Sequence, residues 1–179
     1  MRKIAVVGAE SSGKTTLSQD LAQALDAAWL PEYARHYLAT RATVAYGLAD
    51  VVAIAQGQLA GEVEPRRWQG SDRSDWLVCD TNALVCMIWA EVRFGHCPAT
   101  IRACWQADDY VLHVLPTPDI AWEPDPLREN PEDREALFAR YRDALMQAGA
   151  AHIVVQGSPA ARVQAVLAAL GLPSSPSPV

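Results

Sequence analysis

No apolar run in the 179-residue chain approaches the ~20 residues that cross a bilayer. The opening stretch "MRKIAVVG" reaches a glycine too soon to hold a secretory leader's apolar core. Both observations predict a cytoplasmic protein. Cysteine is scarce, and the four present, Cys79, Cys86, Cys97 and Cys104, include no C-x-x-C pair. Their apolar neighbours fit reduced, buried thiols better than a zinc site. There is no basic surplus either: the net charge is −6, so no broad positive face is expected to neutralise nucleic-acid phosphates. Positive charge used in function must therefore be local. Neither an internal repeat nor an interdomain linker divides the chain, and its length suits one domain.

Apolar residues make up 50% of the chain, enough for a real core. They fall into five short runs, "KIAVVG", "AAWLPEY", "DWLVCD", "DYVLHVLP" and "HIVVQG". Helical spacing lies between them, over 14–26, 31–41, 48–68, 82–93, 131–148 and 159–170. This alternation predicts an α/β fold with a five-stranded, mainly parallel sheet and helices on both faces. One domain over 1–171 is expected, with a loose tail over 172–179 and a polar surface loop at 64–75. Ligands of such sheets sit beyond the carboxyl ends of the strands. The places to look are after Gly8, around Glu32, after Asp80, after Leu115 and around Gly157.

The first of these holds "GAESSGKT", Gly8 to Thr15, a match to G-x-x-x-x-G-K-[ST] set between a strand and a helix. Glycines permit a tight loop whose N–H groups converge on phosphate oxygens, and the following helix adds the positive end of its dipole. Gly8, Glu10, Ser11, Ser12, Gly13, Lys14, Thr15 and the adjacent Thr16 are thus the expected ATP contacts. Lys14 can reach the β- and γ-phosphates, and the Thr15 hydroxyl can ligate Mg²⁺. Asp80 ends the strand "WLVCD", where its carboxylate would emerge beside this loop and hold the metal. The competing use for Asp80 or Asn82 is to cap the next helix.

A bound nucleoside triphosphate leaves three classes open: a small-molecule kinase, a nucleotide-driven switch and a mechanical or assembly ATPase. The acceptor side decides between them, because a kinase needs a carboxylate near the acceptor hydroxyl and cations that close over the transferred phosphate. "PEYARHYLATR" offers Glu32, Arg35 and Arg41, although Glu32 and Arg35 at i,i+3 would also make an ordinary surface ion pair.

Four blocks in order, "GAESSGKTTL", "PEYARHYL", "CDTNALVCMIWAEVRFG" and "PDIAWEPDPLRE", resemble the ribosylnicotinamide kinase domain of NadR and its relatives, from Arg2 to about Leu170. The resemblance implies a P-loop kinase that uses ATP with Mg²⁺ to phosphorylate nicotinamide riboside in NAD salvage. The nucleotidyltransferase and repressor activities of NadR proteins do not carry over. A nucleotidyltransferase signature would need His or Thr at position 93, and Arg93 stands there.

On this resemblance Glu32, Tyr33, Arg35, Asn82, Asp119 and Trp122 become acceptor-side candidates. Trp122 could stack on a cationic pyridinium or simply plug a loop, and Asp119 could accept bonds from ribose hydroxyls. Asp80, or else Glu32, would take the acceptor's proton. Arg128 is the lid candidate that would bridge the transferred and departing phosphate oxygens, in a segment stiffened by Pro126. Arg134 and Arg140 read as ordinary helix-surface arginines. Gly157, with Arg162 nearby, could wall the adenine side, while Ser158 and Pro159 also suit a capped final helix. A kinase of another nucleoside or vitamin alcohol, and a non-catalytic ATP switch, remain the alternatives.

Overall fold

The structure, a computed structural model, describes residues 1–41, 45–70, 75–120 and 133–173. Six strands follow in chain order: β1 (Arg2–Val6), β2 (Ala28–Leu30), β3 (Gln69–Gly70), β4 (Trp76–Asp80), β5 (Leu112–Pro116) and β6 (His152–Val155). The α-helices are α1 (Lys14–Ala24), α2 (Tyr33–Ala39), α3 (Leu48–Glu62), α4 (Ala83–Phe94), α5 (Ala99–Arg102), α6 (Arg134–Gln147) and α7 (Pro159–Ala169).

The strands form one sheet in the order β3-β2-β4-β1-β5-β6. Central β1 pairs in parallel with β4, Val6 opposite Asp80, and with β5, Val6 opposite Val114. On one side of β1 the chain lays down β2 and edge strand β3 and then inserts β4 between β2 and β1. Strands β5 and β6 follow on the other side, so the strand order reverses at β1. In parallel sheets that reversal opens a crevice at the carboxyl ends. All five apolar runs became parallel strands as expected.

Alternation along β1 explains the layers, since successive side chains of a strand point to opposite faces. Ile4 and Val6 pack with Leu17 and Leu21 of α1 and Val163, Val166 and Leu167 of α7. Ala5 and Val7 face the other way, toward Leu84 and Ile88 of α4 and Leu137, Tyr141 and Leu145 of α6. Each such buried leucine or isoleucine contributes about 1.5–3 kcal/mol.

A third cluster contains no strand residue at all. Val51, Ile54 and Ala55 of α3 meet Ala83, Cys86 and Ala90 of α4, with Ile101 of α5 and partly buried Tyr33, Tyr37 and Leu38 of α2 around them. Asp50 ties the chain between α2 and α3: it accepts from Gly47 N at 2.7 Å and from the Tyr37 hydroxyl at 2.9 Å, and pairs with Arg41.

Two expectations need correction. The 64–75 stretch holds a 3-10 turn, Pro65–Arg67, and then the sixth strand, β3, paired antiparallel to β2. The helix expected to continue to 68 stops at Glu62, because Glu64 precedes a proline and is driven out of the α region. Short α5 was not expected either. No helix among the described residues is long and apolar enough to cross a membrane.

Candidate active site

The loop Gly8 to Thr15 leaves β1 at the sheet's reversal point. Gly8 has φ 146°, and a Cβ there would sit 3.1 Å from Leu115 Cδ1, so any side chain would be both strained and crowded. Gly13, at φ 79°, is the residue before α1, and no side chain caps that helix. No acidic residue lies in its first turn. The start of α1 thus carries neither a side-chain cap nor an acidic side chain, a setting that suits anion binding. Lys14 Nζ donates to Ala9 O at 2.7 Å, and Ser12 Oγ donates to the same carbonyl at 2.8 Å. Ser12 and Lys14 are thereby gathered on one carbonyl of the loop.

Asp80 is the end of β4 and only 1% exposed. The Thr15 hydroxyl bonds to its carboxylate, while Oδ1 has no partner. Burial, and then the charge of Glu32, push its pKa up to about 6, against the opposing pull of Thr15, Lys14 and Arg35. A buried carboxylate oxygen with nothing to bond, beside a hydroxyl and a phosphate loop, fits Mg²⁺. That ion is commonly held by one or two protein groups plus phosphate oxygens. Among the described residues no group of three or more His, Cys, Asp or Glu could hold a metal. The four cysteines pair in no disulfide; Cys79, Cys86 and Cys104 are buried and Cys97 is partly exposed.

Glu32, just past β2, does not cap α2 and pairs with Arg35 at 3.1 Å. The arginine side chain is 46% exposed, so the pair adds little stability. Tyr33 lies over α3 at Gly57, with the Arg67 guanidinium 5.3 Å from its ring centre. Asn82 is fully buried and caps α4 by accepting from Leu84 N at 3.1 Å, while its Nδ2 has no hydrogen-bond partner. Arg41 is committed to Asp50 rather than aimed at the phosphate loop.

Sequence reasoning missed Gln58. This glutamine, 2% exposed, accepts from Tyr33 N at 2.9 Å and donates to Thr81 O at 3.2 Å. It thereby joins the residues just past β2 and β4, the two strands that deliver Glu32 and Asp80. Gln56 stands two positions away on the same helix, so nothing in the sequence set Gln58 apart.

Asp119, an acceptor-side candidate, is engaged by protein groups beyond β6. Its Oδ2 accepts from Gly157 N at 2.8 Å and its Oδ1 pairs with Arg162. Burial pushes this carboxyl up, but the Gly157 N–H and Arg162 outweigh it and hold it below the usual carboxylate range. Arg134 is also more engaged than a surface arginine, donating to Ser11 O at 3.3 Å and Ile120 O at 2.8 Å. Arg140 is exposed as expected. Trp122, Pro126, Arg128 and the tail from 174 onward lie outside the described residues.

A family model described as an AAA domain, AAA_28, matches residues 3–162. The chain belongs to that family. No curated protein matches it. Among solved structures, a NadR protein in complex with NR superposes at TM-score 0.75 and 20% identity, covering 99% of this chain and 54% of that one. A NadR protein in complex with NAD and AMP-PNP gives 0.68 and 20%, covering 94% and 48%. Deoxyadenosine kinase from M. mycoides, solved with nucleotide products bound, gives 0.60 and 14%, covering 94% and 98%. The family member described here thus spans about half the length of the NadR chains and nearly all of the deoxyadenosine kinase. These likenesses establish a P-loop nucleoside-kinase fold.

Proposed function

We propose that this AAA-family chain is an ATP-dependent small-molecule kinase, acting as one domain over 1–171, and that its acceptor is nicotinamide riboside. The observation that carries the kinase reading is the orphaned Asp80 Oδ1, buried beside Thr15 and Lys14 at the open end of α1. Lys14 would leave Ala9 O to meet the β- and γ-phosphates. Thr15 and Asp80 would hold Mg²⁺, which when bound neutralises phosphate charge.

In the transfer, the acceptor hydroxyl oxygen forms a bond to the γ-phosphorus as the bond to the β–γ bridging oxygen breaks. ADP departs with that electron pair, and Asp80 or Glu32 takes the hydroxyl proton. Because such transfer depends mainly on position and charge, the carboxylate aligns the hydroxyl more than it drives the step. Glu32, Tyr33, Arg35 and Asn82 would face the acceptor, with Trp122 stacking on its ring. Arg128 would stabilise the moving phosphoryl group.

The acceptor assignment draws on the ordered sequence blocks and on the likeness to NadR bound to NR. The likeness to deoxyadenosine kinase over 98% of that chain favours a second reading, a kinase of another nucleoside. Incubating the protein with Mg-ATP and a panel of nucleosides and vitamin alcohols, with products identified by mass, decides between them. Nicotinamide mononucleotide is the expected product. Turnover of a different acceptor would replace the substrate and keep the kinase, whereas ATP binding with no transfer to any alcohol would leave a nucleotide switch.

A further inference from the structure

Arg162, near the start of α7, is 3% exposed and more than a hundred residues from the phosphate loop in sequence. Its Nη1 nevertheless donates to Ser12 O at 2.6 Å, its Nε to Gly157 O at 3.0 Å and its Nη2 to Thr117 O at 3.4 Å, while Asp119 pairs with Nη2. One guanidinium therefore joins three segments: the phosphate loop, the chain leaving β5 and the turn between β6 and α7. Arg134 grips the neighbouring carbonyl, Ser11 O, at 3.3 Å.

In a trans peptide the C=O and the following N–H point in opposite directions, and the described residues contain no cis bond. A donor on Ser12 O therefore turns the Gly13 N–H away from Arg162, and a donor on Ser11 O does the same for the Ser12 N–H. Two of the loop's carbonyls are thus held by arginines from outside the loop, so the amides that follow them are set before a phosphate arrives.

We propose that Arg162, held by Asp119, is a positioning residue that aims the Gly13 amide of the phosphate loop and so sets affinity for the nucleotide's phosphates without touching them. Asp119 offsets the guanidinium's charge, leaving geometry as its contribution. Lysine cannot substitute, because one ammonium on a flexible stem does not reproduce a planar fork that spans three loops. The proposal rests on the reading of the loop as a nucleotide site, but not on the identity of the acceptor.

The test is ADP and Mg-ATP binding by calorimetry to Arg162→Lys and Asp119→Asn, with the Gly13 amide followed by ¹H–¹⁵N NMR at saturating ADP. Arg162→Lys should bind both nucleotides about tenfold more weakly and Asp119→Asn about threefold more weakly. Both variants should lose part of the downfield Gly13 shift that a phosphate hydrogen bond produces. A folded Arg162→Lys protein with wild-type affinity and an unchanged Gly13 shift overturns the proposal. If that variant does not fold, Asp119→Asn decides alone: weaker binding with a reduced Gly13 shift upholds the idea, and wild-type values for either measurement sink it. Failure of wild-type protein to bind any nucleotide would instead overturn the function proposed above.

Discussion

Tyr33 lies so close to Gly57 that a methyl group on that glycine would come within 2.0 Å of the ring's Cε1. Gly57 is in the interior of α3, where alanine would ordinarily be favoured by about 1 kcal/mol. Overpacking outweighs that gain, costing about 1–3 kcal/mol. Gly57→Ala should therefore lower the melting temperature and push Tyr33 off α3. Under the proposed function the acceptor KM should rise several-fold while the ATP KM stays within about twofold. Equal changes in both would show that Tyr33 does not face the acceptor.

Asp80→Asn should stabilise the fold and, under the proposed function, slow transfer sharply. A carboxyl whose folded pKa is about 6 holds its proton more tightly than in the unfolded chain, where the value is near 3.8. Stability from this group therefore falls as pH rises from 4 to 6 and stays lower above that, by about 3 kcal/mol. Differential scanning at pH 8 should show the variant melting several degrees higher, with the gap closing near pH 4. The rate of transfer should fall at least about a hundredfold. A variant that melts lower at pH 8 would mean that the buried charge is better compensated than its bare Oδ1 suggests.

His113 gives the opposite slope. Fully buried in β5, it donates Nδ1–H to Ala151 O at 3.3 Å, and its Nε2 accepts from Trp105 Nε1 at 3.3 Å. The neutral ring is thus satisfied on both sides, and burial pulls its pKa down to about 4. Because the unfolded chain takes up a proton near 6.5, stability is full above that pH and is lost as pH falls toward 4, by roughly 3 kcal/mol. In wild type this loss is masked by the Asp80 gain over the same range. Urea titrations of Asp80→Asn between pH 7.5 and 4.5 should expose it, and His113→Phe in that background should flatten the curve.

The thiols supply a simple check. Cys79, Cys86 and Cys104 are buried, burial raises all four thiol pKa values, and Cys97 is the partly exposed one. A disulfide reagent should titrate at most one thiol rapidly in native protein and all four after denaturation. Rapid reaction of three or four would contradict the packing of α4 and α5.

What the sequence made legible was whatever is local. The phosphate loop is contiguous, Asp80 ends a recognisable strand, and five apolar runs became the five parallel strands. The two residues of β3, Gln69 and Gly70, are both exposed and carry no apolar pattern, so only their pairing to β2 reveals them. Gln58, Arg134 and Arg162 act on backbone atoms 23 to 150 residues away, and a hydrogen bond to a distant carbonyl leaves no periodic trace. Asp119 was noticed for its carboxylate, but its partners Gly157 and Arg162 lie 38 and 43 residues on and left no local sign.

The cluster of α2, α3, α4 and α5 has a consequence for how such enzymes diversify. Its apolar interior borrows nothing from the strands, whereas the loop that would grip a triphosphate is anchored in the sheet and braced by Arg162. Under the proposed function, substitutions inside the helical cluster can therefore reshape the acceptor side without loosening the half that would handle ATP. On that same proposal, laboratory evolution toward a new alcohol should accumulate its changes between residues 32 and 104 and around Trp122, sparing Asp80, the phosphate loop and Arg162.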